Sequence, residues 1–308
     1  MGLLLEILML VVVLAAIYGL VLWANKAKTD RSANVGLYLL YGLPGMLLTV
    51  AGLALAVNSQ DEGWFVLALG LSFSLPLVRP FRKVLATVTP MDQASPIDMM
   101  GLGVILALMS YFTYVLSLGP AEDEAVTAVT VGTQLVNVLF FVLVAYVAVG
   151  TNIYRTPGEA NARLGLARPK WTDLAVGAAA VLPTLMLSML GSLLTLYFQP
   201  DLFEDLGETM EEMSSGTELT LVNVLIFASA GIGEEILFRG AIQPRFGIII
   251  TSAFWALVHT QYQFSFVVLG LFLAGILFGL IRKYLGTTPA IIAHALYNAA
   301  VVGLQAVG

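Results

Sequence analysis

The sequence predicts an all-α fold, a polytopic transmembrane bundle of about ten helices, and three observations carry that prediction. Of the 308 residues, 59% are hydrophobic and only 11% are charged, where soluble domains carry roughly 25% charged residues. The apolar residues fall into runs of membrane-spanning length, which requires about 20 residues. The basic residues sort to alternate ends of those runs, as the positive-inside rule demands of a spanning chain.

Taken in order, the spans are expected at about 2–24, 35–57, 64–79, 99–119, 125–150, 172–198, 219–242, 246–261, 264–282 and 287–306. The first, within "MGLLLEILMLVVVLAAIYGLVLWANKAK", has no positive n-region and a longer apolar run than a signal peptide, so it reads as a helix of the bundle. Glu6 also breaks the myristoylation pattern, which needs Ser or Thr there. The third and eighth runs are short, and Pro76, Pro80 and Pro90 make the chain after the third irregular. With ten spans, all fourteen Lys and Arg fall on one side: Lys26, Lys28 and Arg31, then Arg79, Arg82 and Lys83, then Arg155, Arg163, Arg168 and Lys170, then Arg239 and Arg245, then Arg282 and Lys283. That side is cytoplasmic by the positive-inside rule, which places both termini outside a cell membrane. The opposite loops are acidic or neutral, among them "GPAEDE" and the long stretch 201–218. The latter reads as a solvated loop with at most one amphipathic turn, lacking the Asp-x-Asp-x-Asp-Gly pattern of a calcium loop.

The longest basic-side segment, 151–171, divides the chain into an N-terminal extension of about five spans, 1–160, and a C-terminal part, 161–308. No internal repeat stands out. A net charge of −6 leaves no basic patch for nucleic acid. With no cysteine, disulfides, thiolate metal sites and a Cys nucleophile are excluded.

Against that apolar background, three C-terminal runs carry side chains able to do chemistry. "GIGEEILFRG" holds Glu234, Glu235 and Arg239. Ionisable groups within a span cost a few kcal/mol each and usually face a bundle interior or wet cavity. Glu235 and Arg239 are four apart and share a helical face, so they can pair. Glu234 points about 100° away, free for other work, and a carboxylate among apolar walls suits a general base. A buried ion pair that only holds the bundle together accounts for these residues equally well when they are taken alone. His259 ends the eighth run, where a lone histidine is more often packed than catalytic. His294 and Asn298 share a face of the last run and can present two donors to one point, as an oxyanion site needs, or serve as interhelical hydrogen bonds. His259 and His294 are the only histidines in the chain. Counting along straight helices from the basic side puts Glu234 roughly 13 Å, His294 roughly 10 Å and His259 roughly 20 Å into the membrane, so all can meet near its middle.

No Gly-x-Ser-x-Gly, no His-Glu-x-x-His and no Gly-x-Gly-Asp-type aspartyl pair is present. What remains is water activation by a glutamate, directly or on a metal. Glu234, His259 and His294 would be a catalytic zinc set with water in the open position. Without metal, Glu234 and His259 would act on the water, and His294 with Asn298 on the oxyanion. No carboxylate partner for either histidine is visible in the sequence, which favours the metal-free route. Both routes are amide hydrolysis of a peptide or membrane-protein substrate.

These motifs resemble the CPBP intramembrane proteases, the family that includes CAAX prenyl endopeptidases and the Abi-like bacteriocin-processing and immunity proteins. The family patterns Glu-Glu-x-x-x-Arg, Phe-x-x-x-His and His-x-x-x-Asn stand here as "EEILFR", "FWALVH" and "HALYN". Trp255 occupies the place four before His259, where the pattern has Phe, and Phe254 stands five before, so the aromatic slot is either filled by Trp or shifted by one. The resemblance covers roughly 219–306 and leaves the first five spans unexplained. It implies a membrane-embedded endopeptidase with Glu234 as base, His259 positioning water, His294 and Asn298 on the oxyanion, and Glu235 with Arg239 ordering the site. An inactive scaffold or immunity protein of the same fold is the alternative, and a proton-coupled transporter using a Glu–His relay is the third reading.

Overall fold

The computed structural model describes residues 2–119, 131–214 and 221–305. Every regular element among them is helical, and the only β-type contact is an isolated bridge between Thr151 and Arg155. The N-terminal helices are α1 (Gly2–Lys26), α2 (Arg31–Val57), α3 (Gly63–Ser74), α4 (Arg79–Val88), α5 (Pro96–Leu118) and α6 (Val131–Ala148). After a short basic-side helix, α7 (Pro157–Leu164), come α8 (Trp171–Phe198), α9 (Pro200–Ser214), α10 (Leu221–Glu235), α11 (Gln243–Leu257), α12 (Phe266–Leu285) and α13 (Thr287–Gln305).

Local chemistry sets many of these boundaries. Asp30 caps α2 by accepting from the Ser32 and Ala33 amides. Thr156 and Glu159 close a reciprocal capping box on α7, and Gly165 ends that helix in the left-handed conformation. Ser95, with Pro96 in the first turn, starts α5.

Among the described residues, seven helices are long and apolar enough to cross a membrane, or eight if the bent α3–α4 pair is one span. The expected count of ten differs at three places. The third run turns by 87° where it meets α4, because Leu75–Leu77 tightens to a 3₁₀ turn around Pro76 and Pro80 follows at the start of α4. The seventh run changes from α- to π-helix after Glu235, so α10 itself has 15 residues. The eighth is also a 15-residue helix, broken at Gly247 with φ 78°.

The acidic stretch beginning at 201 is a helix, α9, rather than a loop. Its Leu202, Phe203, Leu206 and Met210 recur at helical spacing, and Leu206 is buried. The end of that stretch, 215–218, and the acidic residues 121–124 lie outside the described residues. Arg239, counted above with the charges at the basic ends, is instead wholly buried inside the bundle.

Two buried clusters organise the molecule. A smaller one joins α1, α2 and the start of α5 through Val21, Leu37, Tyr41, Ile97 and Met99. The larger contains Phe238, Trp255 and Phe278 of the C-terminal helices together with Leu102 and Ile105 of α5, Ala145 of α6 and Val149 just after it. The N-terminal helices α5 and α6 therefore form part of the wall around the motif residues. An ion pair between Asp98 of α5 and Arg245 of α11 reinforces that junction.

Candidate active site

The site is built where α10, α11, α12 and α13 meet. Close approach between them needs glycine at two places. A Cβ at Gly231 of α10 would lie 3.0 Å from the Ala295 amide and 3.1 Å from the His294 ring. At Gly275 of α12 it would lie 3.0 Å from the Trp255 indole and 3.3 Å from Arg239 Nη2. These glycines let α13 and α12 come close enough for side chains to reach across.

Glu235 ends α10, and a seven-residue π-helix, Ile236–Ile242, follows. The wider π turn disturbs the regular ladder of backbone bonds. Two carbonyls of this segment accept from basic side chains: Arg239 O from Arg282 Nε at 3.1 Å, and Gly240 O from Arg163 Nη1 at 3.0 Å. Two residues that the sequence offered only as positive-side markers thus hold the segment that carries the motif. The start of α13 is fixed nearby, where the Thr287 amide donates to Gly165 O and the Thr288 hydroxyl to Ala167 O.

Glu235 lies at the centre of a fully buried charge cluster. Its Oε1 is 3.0 Å from Arg239 Nη1, and both side chains are 0% exposed. The same oxygen is 3.0 Å from His294 Nδ1. With a guanidinium on the same oxygen, Oε1 is an acceptor and His294 donates to it through Nδ1. Arg239 Nη2 also donates to Gly275 O at 3.2 Å, and its guanidinium lies over the Trp255 ring at 4.7 Å and the Phe278 ring at 5.6 Å. His294 stacks on Phe278 with ring centres 4.8 Å apart.

Glu234 points to the other side, as its position on the helix requires, and is half-buried. Its Oε2 accepts from the Trp255 indole N–H at 2.5 Å. The carbonyl of the same tryptophan lies 2.8 Å from His259 Nδ1. A carbonyl only accepts, so Nδ1 carries the proton and the His259 Nε2 lone pair is left open. The Trp255 ring lies edge-on to both histidines, 4.9 Å from the His259 ring and 5.4 Å from that of His294.

The structure therefore joins Glu234, His259 and His294 around one indole, with Glu235 and Arg239 beneath. Asn298 is placed differently. Its Nδ2 donates to Phe227 O of α10 at 3.2 Å, and among the described residues no hydrogen bond links it to His294. One N–H of its amide remains for other use.

The sequence missed two features. Glu235 is a carboxylate partner for His294 that no local pattern announces. Trp255, read there only as a departure from an aromatic position, is the residue that touches Glu234 and both histidines. An indole N–H four residues before a histidine is a usable signal, because the position faces the same side of the helix.

A metal fits the donor set poorly. Among the described residues no three His, Asp or Glu side chains form a group able to hold an ion. One oxygen of Glu234 is occupied by the indole, and Glu235 is turned toward Arg239 and His294.

Comparison with known families matches residues 216–300 to the model described as Type II CAAX prenyl endopeptidase Rce1-like. No curated protein and no solved structure matches the chain. Residues 216–300, which hold Glu234, Glu235, Arg239, His259, His294 and Asn298, carry an Rce1-like domain consistent with the CPBP resemblance of the three motifs.

Proposed function

We propose that this protein is an intramembrane CAAX-type endopeptidase that hydrolyses a peptide bond with water activated by Glu234. The observation that carries the reading is the single indole touching Glu234, His259 and His294, which come from α10, the end of α11 and α13.

Glu234 has Oε1 free of any hydrogen bond among the described residues, and this oxygen takes the water proton. The open Nε2 of His259 accepts a hydrogen bond from the same water and orients it. The water oxygen bonds to the scissile carbonyl carbon as the C=O π pair moves onto oxygen. His294 Nε2 and the remaining N–H of Asn298 donate to that oxyanion. Nδ1 is directed at Glu235, so donation from Nε2 requires the doubly protonated ring in this step. When the intermediate collapses, the C–N bond breaks and Glu234 passes its proton to the departing nitrogen. Glu235 and Arg239 hold the helices in register and touch no reacting atom.

The family model suggests a substrate ending in a prenylated Cys-aliphatic-aliphatic-X sequence. The basic helix ends would face the cytoplasm of a cell membrane, as the positive-inside rule expects. The test is incubation of the purified protein with a farnesylated peptide of that form. Mass analysis should show loss of the terminal aaX tripeptide by the wild type and none by Glu234→Gln. Equal cleavage by both proteins overturns the mechanism, and no cleavage by folded wild type returns the chain to the scaffold reading.

No step here uses a metal. Turnover is therefore expected to survive treatment with EDTA and 1,10-phenanthroline. Loss of turnover that zinc restores would contradict the metal-free route.

A further inference from the structure

We propose that Trp255 is a positioning residue that sets the spacing and orientation of Glu234 and His259, an inference that rests on the catalytic reading above. The sequence contains four tryptophans, and they meet very different surroundings. Trp64 and Trp171 are exposed, and Trp23 donates to a neutral carbonyl, Ala33 O, at 2.9 Å. Trp255 is 1% exposed and donates to a carboxylate oxygen at 2.5 Å. A hydrogen bond to an ionised group is shorter and about twice as strong as a neutral one.

The geometry gives this one residue two functions. Its side-chain N–H engages Oε2 of Glu234 and so fixes which carboxylate oxygen faces the water. Its main-chain carbonyl engages His259 Nδ1 and so fixes the tautomer that leaves Nε2 as an acceptor. Base and water-orienting imidazole are thereby referenced to the same residue of α11. The indole is itself held: Arg239 lies over its face, and Phe278 packs at 6.0 Å between ring centres. Thus the Glu235–Arg239 pair is linked to Glu234 through the indole. Phenylalanine, which the family pattern has at this position, supplies the carbonyl and an apolar ring but no N–H.

The experiment uses the full-length protein in detergent with the farnesylated peptide. Trp255→Phe keeps the ring packing and the carbonyl and removes the N–H. It is expected to lower kcat about 10- to 100-fold with KM unchanged, the effect of losing one hydrogen bond to a charged group that acts on the chemical step. Glu234→Gln is assayed alongside. If Glu234→Gln remains active, the catalytic reading fails; if it is inactive while Trp255→Phe turns over like the wild type, only the present inference is overturned.

A second readout needs neither turnover nor a stable Trp255 variant. The ultraviolet resonance Raman band that reports indole N–H hydrogen bonding should contain one strongly bonded component in the wild type. That component should move to the weakly bonded position in Glu234→Ala. An unchanged band in Glu234→Ala means that no such bond exists and overturns the proposal.

Discussion

Glu234→Gln is expected to fold and melt like the wild type while losing turnover by about 10²–10⁴-fold, the usual contribution of a positioned general base. The substitution is nearly isosteric. The Gln carbonyl oxygen can still accept from the Trp255 N–H, so the contact at 2.5 Å keeps a partner. Glu234 has no ion pair among the described residues, so neutralising it strands no buried cation. What the amide cannot do is take a proton from water. Thermal unfolding in detergent and turnover of the prenylated peptide, measured on one preparation, separate the two effects.

Glu235→Gln, one residue along, should behave in the opposite way and lose stability. Arg239 is 0% exposed and its only ion-pair partner among the described residues is Glu235. Removing one member of a buried pair leaves an uncompensated charge and costs about 3–5 kcal/mol. The Gln carbonyl can stay on Arg239 Nη1 and His294 Nδ1, so the expected loss comes from the missing charge rather than from a clash of donors. Loss of stability should appear as a lower melting temperature and lower yield of monodisperse protein. Pairing Glu235→Gln with Arg239→Met removes the stranded charge, so the double variant should be more stable than Glu235→Gln alone. A double variant less stable than the single one would mean that Arg239 stabilises through contacts other than its charge pair, such as Gly275 O and the Trp255 ring.

The helical class and the identity of the charged segment were legible because both follow from spacing. Apolar runs of about 20 residues specify helices that can span, and a carboxylate four residues before an arginine specifies a pair. The same spacing placed Glu234 off the Glu235 face, where the structure has it. Other features were not legible because they arise between elements or within an unchanged apolar pattern. The bond from His294 to Glu235 joins residues far apart in sequence, and no local pattern announces it. The passage from α- to π-helix at Ile236 leaves hydropathy unaltered, so one continuous span was expected. Asn298 shares a face with His294, yet the neighbouring Phe227 carbonyl takes its amide. The bend after α3 depended on a 3₁₀ turn that three scattered prolines suggested only as irregularity. Arg163 and Arg282 read as topology markers, although they also bond the carbonyls of the π segment.

The central claim is that two adjacent glutamates divide the work, Glu234 acting on water and Glu235 holding the bundle. The most direct measurement determines melting temperature and turnover together for Glu234→Gln and Glu235→Gln. Glu234→Gln should keep the wild-type melting temperature and lose turnover, and Glu235→Gln should melt at a clearly lower temperature. A Glu234→Gln protein that turns over like the wild type, or a Glu235→Gln protein that melts like it, would contradict the account.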